Sequence, residues 1–169
     1  MDTNSIRGKI AYIPQEVVLF SGTILENITM FNQSITIEKV DEIIRKVGIY
    51  EKIVNLQNGI NTIVGERGFS LSGGEKQKIA ICRALIKNPL IIILDEATSN
   101  LDVQSEREII KIIEHLKSEG KTIISIAHRL STVEKCDKIY FLENGKIAEE
   151  GDFNKLRKMD GYFSKLLNI

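Results

Sequence analysis

Apolar positions follow three rhythms along the 169 residues, and each predicts a different kind of element. The first is the short, nearly unbroken apolar run. "KIAYI" (residues 9–13) reads as a strand ending at Pro14, and "LIIIL" (90–94) and "TIISIA" (122–127) are further strands. Runs of this kind suit strands buried on both faces of a parallel sheet. The second rhythm is helical. Val40, Ile43, Ile44 and Val47 keep one face and Gly48 supplies the stop; Ile109, Ile112, Ile113 and Leu116 keep another, between Asp102 as cap and Gly120 as stop. Thr23 with Glu26, and Ser72 with Glu75, have the spacing of capping boxes, the second opening a helix from residue 73 to about 86 that "KNP" ends. The third rhythm is the hairpin: "KIYFL", Asn144-Gly145 and "KIAEE", joined by a type I′ turn. "INTIVGERGFS" (60–70) shows no period and reads as a loop, and residues 152–169 as a helix broken at Asp160-Gly161.

The outer parts are strand-rich and the middle is helical. This predicts an α/β core built from residues 1–20 and 87–169, with a helical subdomain, 21–86, inserted in it. Composition changes that picture little. Lys plus Arg equals Asp plus Glu at 23 each, with a pI near 6.8, so bulk charge offers nucleic acid no surface and no such partner is expected. The longest purely apolar run is far below the roughly 20 residues of a membrane span, and Met1 opens no signal peptide. By itself the chain reads as soluble and by default cytoplasmic. Cys82 and Cys136 lack metal spacing and read as reduced, structural cysteines.

The polar residues at the strand ends carry the chemistry. "KIAYIP" leads to Gln15, "LIIIL" to Asp95 and Glu96, and "TIISIA" to His128. Parallel α/β sheets bind ligands outside the carboxyl ends of their strands, so these groups are expected on one sheet edge. Taken singly, Gln15 could satisfy a loop backbone and His128 could be a hydrogen-bonded core histidine. Two adjacent acids after an apolar run are costly when buried without a partner, and a cation is the natural one. Period-two geometry points their side chains in different directions, one toward a metal and the other toward a nucleophile. That division suits phosphoryl transfer with Mg²⁺. "LSGGEKQKIAICRAL" (71–85) adds a glycine-bearing helix N-terminus, which is an anion site in its own right.

Together these motifs resemble the nucleotide-binding domain of ABC (ATP-binding cassette) transporters, from about Ile6 to the C-terminus. "IAYIPQ" is similar to the Q-loop, "LSGGEKQKIAICRALIKNP" to the signature helix, "LIIILDEATSNLD" to the Walker B strand and D-loop, and "IAHRLST" to the switch-histidine loop. "VLFSGTILENI" and "TIVGERG" resemble the exporter branch. The resemblance implies a P-loop NTPase-type (RecA-like) α/β fold, a mostly parallel sheet with an inserted helical signature subdomain, and Mg-dependent ATP hydrolysis that powers an exporter. It gives roles to individual residues. Gln15 touches Mg²⁺ and senses the transmembrane partner; Asp95 holds Mg²⁺ through water; Glu96 polarises the attacking water; His128 contacts the γ-phosphate. Ser72, Gly73, Gly74 and Glu75 face ATP held by a second nucleotide-binding domain, and Ser99 and Asp102 link the two halves of that dimer. The implied place is cytoplasmic, peripheral at the inner face of the cell membrane, beside an exporter's transmembrane domain.

Two departures from the family pattern stand out. Position 75 is Glu where the commonest signature has Gln. A carboxylate about 6 Å from phosphate oxygens, at an effective dielectric near 20, is repelled by roughly 3 kcal/mol per charge pair. A closed capping box contributes about 1 kcal/mol instead, so Glu75 is expected to turn back onto Ser72. The second departure is that no G-x-x-x-x-G-K-[ST] occurs in the 169 residues. The expectation is a cassette lacking its Walker A segment: an incomplete sheet, an isolated chain that is not an active ATPase, and an apolar edge on "TIISIA" that favours association. Two other readings stand beside it, a truncated non-catalytic cassette acting as an interaction module and a chromosome-maintenance or DNA-repair ABC ATPase. Neutral charge and the short stretch between Gln15 and Ser72, where that branch has a long coiled coil, weigh against the latter.

Overall fold

A computed structural model describes residue 6 and residues 8–66 and 68–167. The first residues of the chain, Arg67 in the "TIVGERG" loop and the final two residues lie outside this description. The chain forms two compact units, one running through Ile126 and the other from Ala127.

The first unit is built on a parallel sheet of β1 (Ile10–Ile13), β4 (Ile91–Asp95) and β5 (Thr122–Ile126), in the order β1-β4-β5. Register pairs Ile13 with Leu94 and Asp95 with Ile126, which aligns the carboxyl ends of all three strands. β4 is central, and Ile92 and Leu94 are buried. The expectation that all three strands are buried is corrected for β1 and β5. They are the two terminal strands of the order; Ile10 and Tyr12 are 36% and 56% exposed, and Ile124 and Ile126 are 49% and 50% exposed. An unbroken apolar run reports what a strand can bury; the number of neighbours it has decides what it does bury.

The helices follow from their caps. α1 (Ile24–Thr29) starts at Thr23, whose hydroxyl accepts from Glu26 N while the Glu26 carboxylate accepts from Thr23 N. α2 (Ile37–Lys46) buries Val40, Ile43 and Ile44, and Gly48 leaves it with φ +68°. α3 (Tyr50–Val54) follows. α4 (Gly73–Leu85) is capped by Ser72 and packs on β1, α1, α2 and α5 (Val103–Ser118). One apolar core, from Ile13 to Leu116, joins these helices to the sheet.

The stretch read as a loop is partly structured. A 3-10 turn, Gly59–Asn61, precedes β3 (Ile63–Val64), which pairs antiparallel with β2 (Gly22–Thr23). A two-residue strand is too short to show a period in sequence.

The second unit holds α6 (Leu130–Val133), a hairpin of β6 (Ile139–Glu143) and β7 (Lys146–Gly151), then α7 (Phe153–Lys158) and α8 (Tyr162–Leu167). Asn144 and Gly145 have φ of 50° and 73°, as the type I′ turn requires. The break between α7 and α8 falls at Asp160-Gly161, and the Glu149 carboxylate accepts from the backbone N–H groups of Tyr162 (2.5 Å) and Phe163 (3.1 Å). Leu156 and Phe163 are buried.

Candidate functional site

The aligned ends of β1 and β4 bring Gln15, Asp95 and Glu96 to one side of the sheet. Gln15 Nε2 donates to Glu96 Oε2 at 2.9 Å and to Ser99 Oγ at 3.3 Å. Ser99 Oγ donates in turn to Glu96 O at 2.9 Å, so the turn after β4 is tied to the segment after β1. Asp95 Oδ2 accepts from the Tyr12 hydroxyl at 2.6 Å. That bond to a carboxylate is the main reason the Tyr12 phenol is held above its ordinary value of 10.0.

Different partners hold the two carboxylates, but the strand pleat is not the whole cause. Glu96 has φ +47°, a left-handed conformation for a residue with a side chain, while its N–H still donates to Ile126 O at 2.9 Å. Such backbone costs about 1–3 kcal/mol and persists only where the surroundings over-determine it. The pleat ends at Asp95, and this turn sets the direction of Glu96.

The donor chemistry fits a hard divalent cation. With its amide nitrogen given to Glu96 and Ser99, Gln15 keeps a carbonyl oxygen as its acceptor end, and Asp95 at the end of β4 offers a carboxylate. Among the described residues no cluster of three or more His, Cys, Asp or Glu side chains forms an all-protein metal cage. Mg²⁺ is commonly held by one or two protein oxygens together with phosphates and water.

A second polar site lies at the N-terminus of α4. Ser72 Oγ accepts from Glu75 N at 3.2 Å, and Glu75 Oε2 accepts from Ser72 N at 2.9 Å, a reciprocal capping box. Glu75 Oε1 lies 2.9 Å from Lys52 Nζ. Burial pushes the Glu75 carboxyl up, but the bonds from Ser72 and Lys52 outweigh it and hold the group below its ordinary 4.5. Gly73 and Gly74 differ. A Cβ on Gly73 would meet Leu101 at ordinary contact distance, whereas one on Gly74 would lie 2.7 Å from Ser105 Cβ and collide with its hydroxyl. Gly74 therefore has a packing reason to be glycine. Ser105 is in turn fixed by Asp102, which accepts from its N–H (2.9 Å) and hydroxyl (2.6 Å) and caps α5.

His128 follows β5 by two residues, belongs to the second unit, and is exposed. Cys82 is buried and Cys136 half-buried; both are free thiols, and burial pushes the Cys82 thiol far up, which suits an inert structural cysteine.

Residues 18–31 present an apolar patch. Val18, Phe20 and Phe31 are exposed, with the two phenyl rings edge to face at 6.4 Å. Arg83 of α4 fastens the patch from behind, donating to Val18 O, Asn27 O and Asn27 Oδ1.

Fold and site together define an ATP-binding-cassette module, and the comparisons agree. A family model described as "ABC transporter" matches residues 1–99, and the chain belongs to that family. It is 44% identical over 170 residues to a sophorolipid transporter of Starmerella bombicola, covering 98% of this chain and 13% of that protein. It is 48% identical over 153 residues to a putative export ATP-binding/permease protein of Rickettsia felis, covering 90% and 26%. A solved bacterial Atm1-family ABC exporter with ATP bound superposes with a TM-score of 0.87 at 41% identity, over 98% of this chain and 29% of that one. The chain thus spans less than a third of the length of each of these proteins. No helix among the described residues is long and apolar enough to cross a membrane.

Two site residues escaped the sequence reading. Tyr12 reads as a strand residue, and nothing near it in sequence points to Asp95, 83 residues on. Lys52 carries no signal of its own in the sequence, because nothing local to it points to Glu75, 23 residues on.

Proposed function

We propose that this chain is the ATP-hydrolysing part of an ABC exporter, working with Mg²⁺ and ATP beside a transmembrane domain and a second nucleotide-binding domain. The observation that carries this is the meeting of Gln15, Asp95, Glu96 and Ser99 at the carboxyl ends of β1 and β4. Bound there by Asp95 and Gln15, Mg²⁺ supplies charge neutralisation at the phosphates. Glu96 accepts a proton from the attacking water at its carboxylate, and Gln15 holds that carboxylate in place. His128 orients the γ-phosphate from the loop after β5. Ser72 and the Gly73 amide donate to a phosphate held by the opposite subunit, with Gly74 and Glu75 shaping that helix start; Ser99 and Asp102 face the dimer seam.

The helical stretch 21–86 acts as the signature subdomain within a core of 1–20 and 87–169. The patch of Val18, Phe20 and Phe31 takes the transmembrane domain, in keeping with the ATP-binding/permease architecture named for the Rickettsia relative. The working location is the cytoplasmic face of a membrane. Because the 169 residues carry no G-x-x-x-x-G-K-[ST], they bind MgATP weakly and do not turn it over unaided.

The test joins this chain to an N-terminal segment bearing a P-loop and measures MgATP hydrolysis. Activity that Glu96→Gln abolishes supports the reading. Activity indifferent to Glu96→Gln, or no activity in a folded fusion, overturns it and favours an interaction module.

A further inference from the structure

A glutamate at the mouth of a phosphate site brings a negative charge where negative charge must bind. The fold meets it with a lysine from another helix. Lys52 Nζ lies 2.9 Å from Glu75 Oε1, while Glu75 Oε2 accepts from Ser72 N at 2.9 Å. One carboxylate is thus held at both oxygens, by its own helix cap and by a cation from α3. Lys52 and Glu75, with Ser72, Gly74, Lys78 and Ser105, line a groove of about 180 Å³ at the start of α4. Lys78 is committed elsewhere, donating to Gly48 O at 3.0 Å and to Glu108 Oε2 at 2.8 Å. Lys52 is therefore the counter-charge in contact with Glu75.

We propose that Lys52 is a positioning residue of the signature site: it keeps the Glu75 carboxylate turned back on Ser72 and cancels its charge, so the α4 N-terminus can take a phosphate group despite the glutamate. This rests on the reading of Ser72 and Gly73 as phosphate donors. Turning the carboxylate back is not sufficient alone, since an unpaired charge one turn from the anion still repels it across a few ångströms of partly excluded solvent. Lys52 and Glu75 act as a unit, and neither residue's effect is meaningful without the other.

The test titrates the 169-residue chain with tripolyphosphate while NMR follows the amides of Ser72, Gly73 and Gly74. Lys52 is 41% exposed at its side chain, so its variants keep the core. Lys52→Arg is expected to match the wild type. Lys52→Ala is expected to bind about tenfold more weakly, the scale of one uncompensated, partly screened charge. Adding Glu75→Gln to Lys52→Ala restores wild-type affinity to within about twofold, because the unpaired charge is gone. A Lys52→Ala variant as tight as wild type overturns the proposal. So does a double variant as weak as Lys52→Ala, which would make Lys52 a direct phosphate ligand. If these amides respond in none of the proteins, the phosphate reading itself fails and takes the proposal with it.

Discussion

Gly74→Ala tests whether the second signature glycine is needed for close packing before any ligand is present. The added methyl would lie 2.7 Å from Ser105 Cβ, on a helix whose first turn Asp102 fixes through two hydrogen bonds. Overpacking of this kind costs about 1–3 kcal/mol. Alanine recovers up to about 1 kcal/mol over glycine through helix propensity. The net expectation is a destabilisation of about 1 kcal/mol, or about 2–4 °C in Tm for a chain of this size. The assay is urea unfolding followed by circular dichroism on wild type, Gly74→Ala, Ser105→Gly and the double variant. Removing Ser105 Cβ opens the space, so the cycle should show a favourable coupling of about 1–2 kcal/mol. A stabilising Gly74→Ala, or zero coupling with Ser105, would refute the close-packing argument and leave phosphate approach as the reason for the glycine.

The other predictions rest on charge, edge and ligand. The Glu75 carboxyl is held low in the folded state, so its contribution is present above its ordinary 4.5 and fades as pH falls through the lower folded value. Wild type should exceed Glu75→Gln in stability at neutral pH and lose that lead as pH falls below 4.5, as read by thermal melts across pH; a lead that grows on acidification contradicts the assignment. The half-exposed face and terminal position of β5 predict self-association in gel filtration with light scattering, lessened by Ile124→Lys; a clean monomer near 19.1 kDa speaks against it. Calorimetry with MgATP on the 169-residue chain should find no micromolar binding, and micromolar affinity would remove the reasoning from the missing P-loop motif.

Much of the architecture was legible in sequence because its signals are local. The boxes at Thr23 and Ser72, the stops at Gly48 and Gly120 and the turn at Asn144-Gly145 depend on groups three or four residues apart, and each forms as spaced. Strand ends were legible too, since apolar runs that stop at a polar residue mark where a parallel sheet presents its ligand edge. Strand burial was not. β4 and β5 look alike in sequence, but β4 has two neighbours and β5 one, which leaves Ile124 and Ile126 half open.

By itself the sequence determined the family, the order of elements and the residue types at the strand ends, since these follow from short-range pattern and motif. Tertiary structure decided which polar groups are paired. Tyr12 with Asp95 and Gln15 with Glu96 are separated by more than eighty residues, and only the alignment of β1 on β4 brings them within bonding distance. The left-handed Glu96 and the Lys52–Glu75 pair are decided the same way. Hydrogen bonds and charges act over a few ångströms, and no spacing along the chain records which residues folding will bring that close.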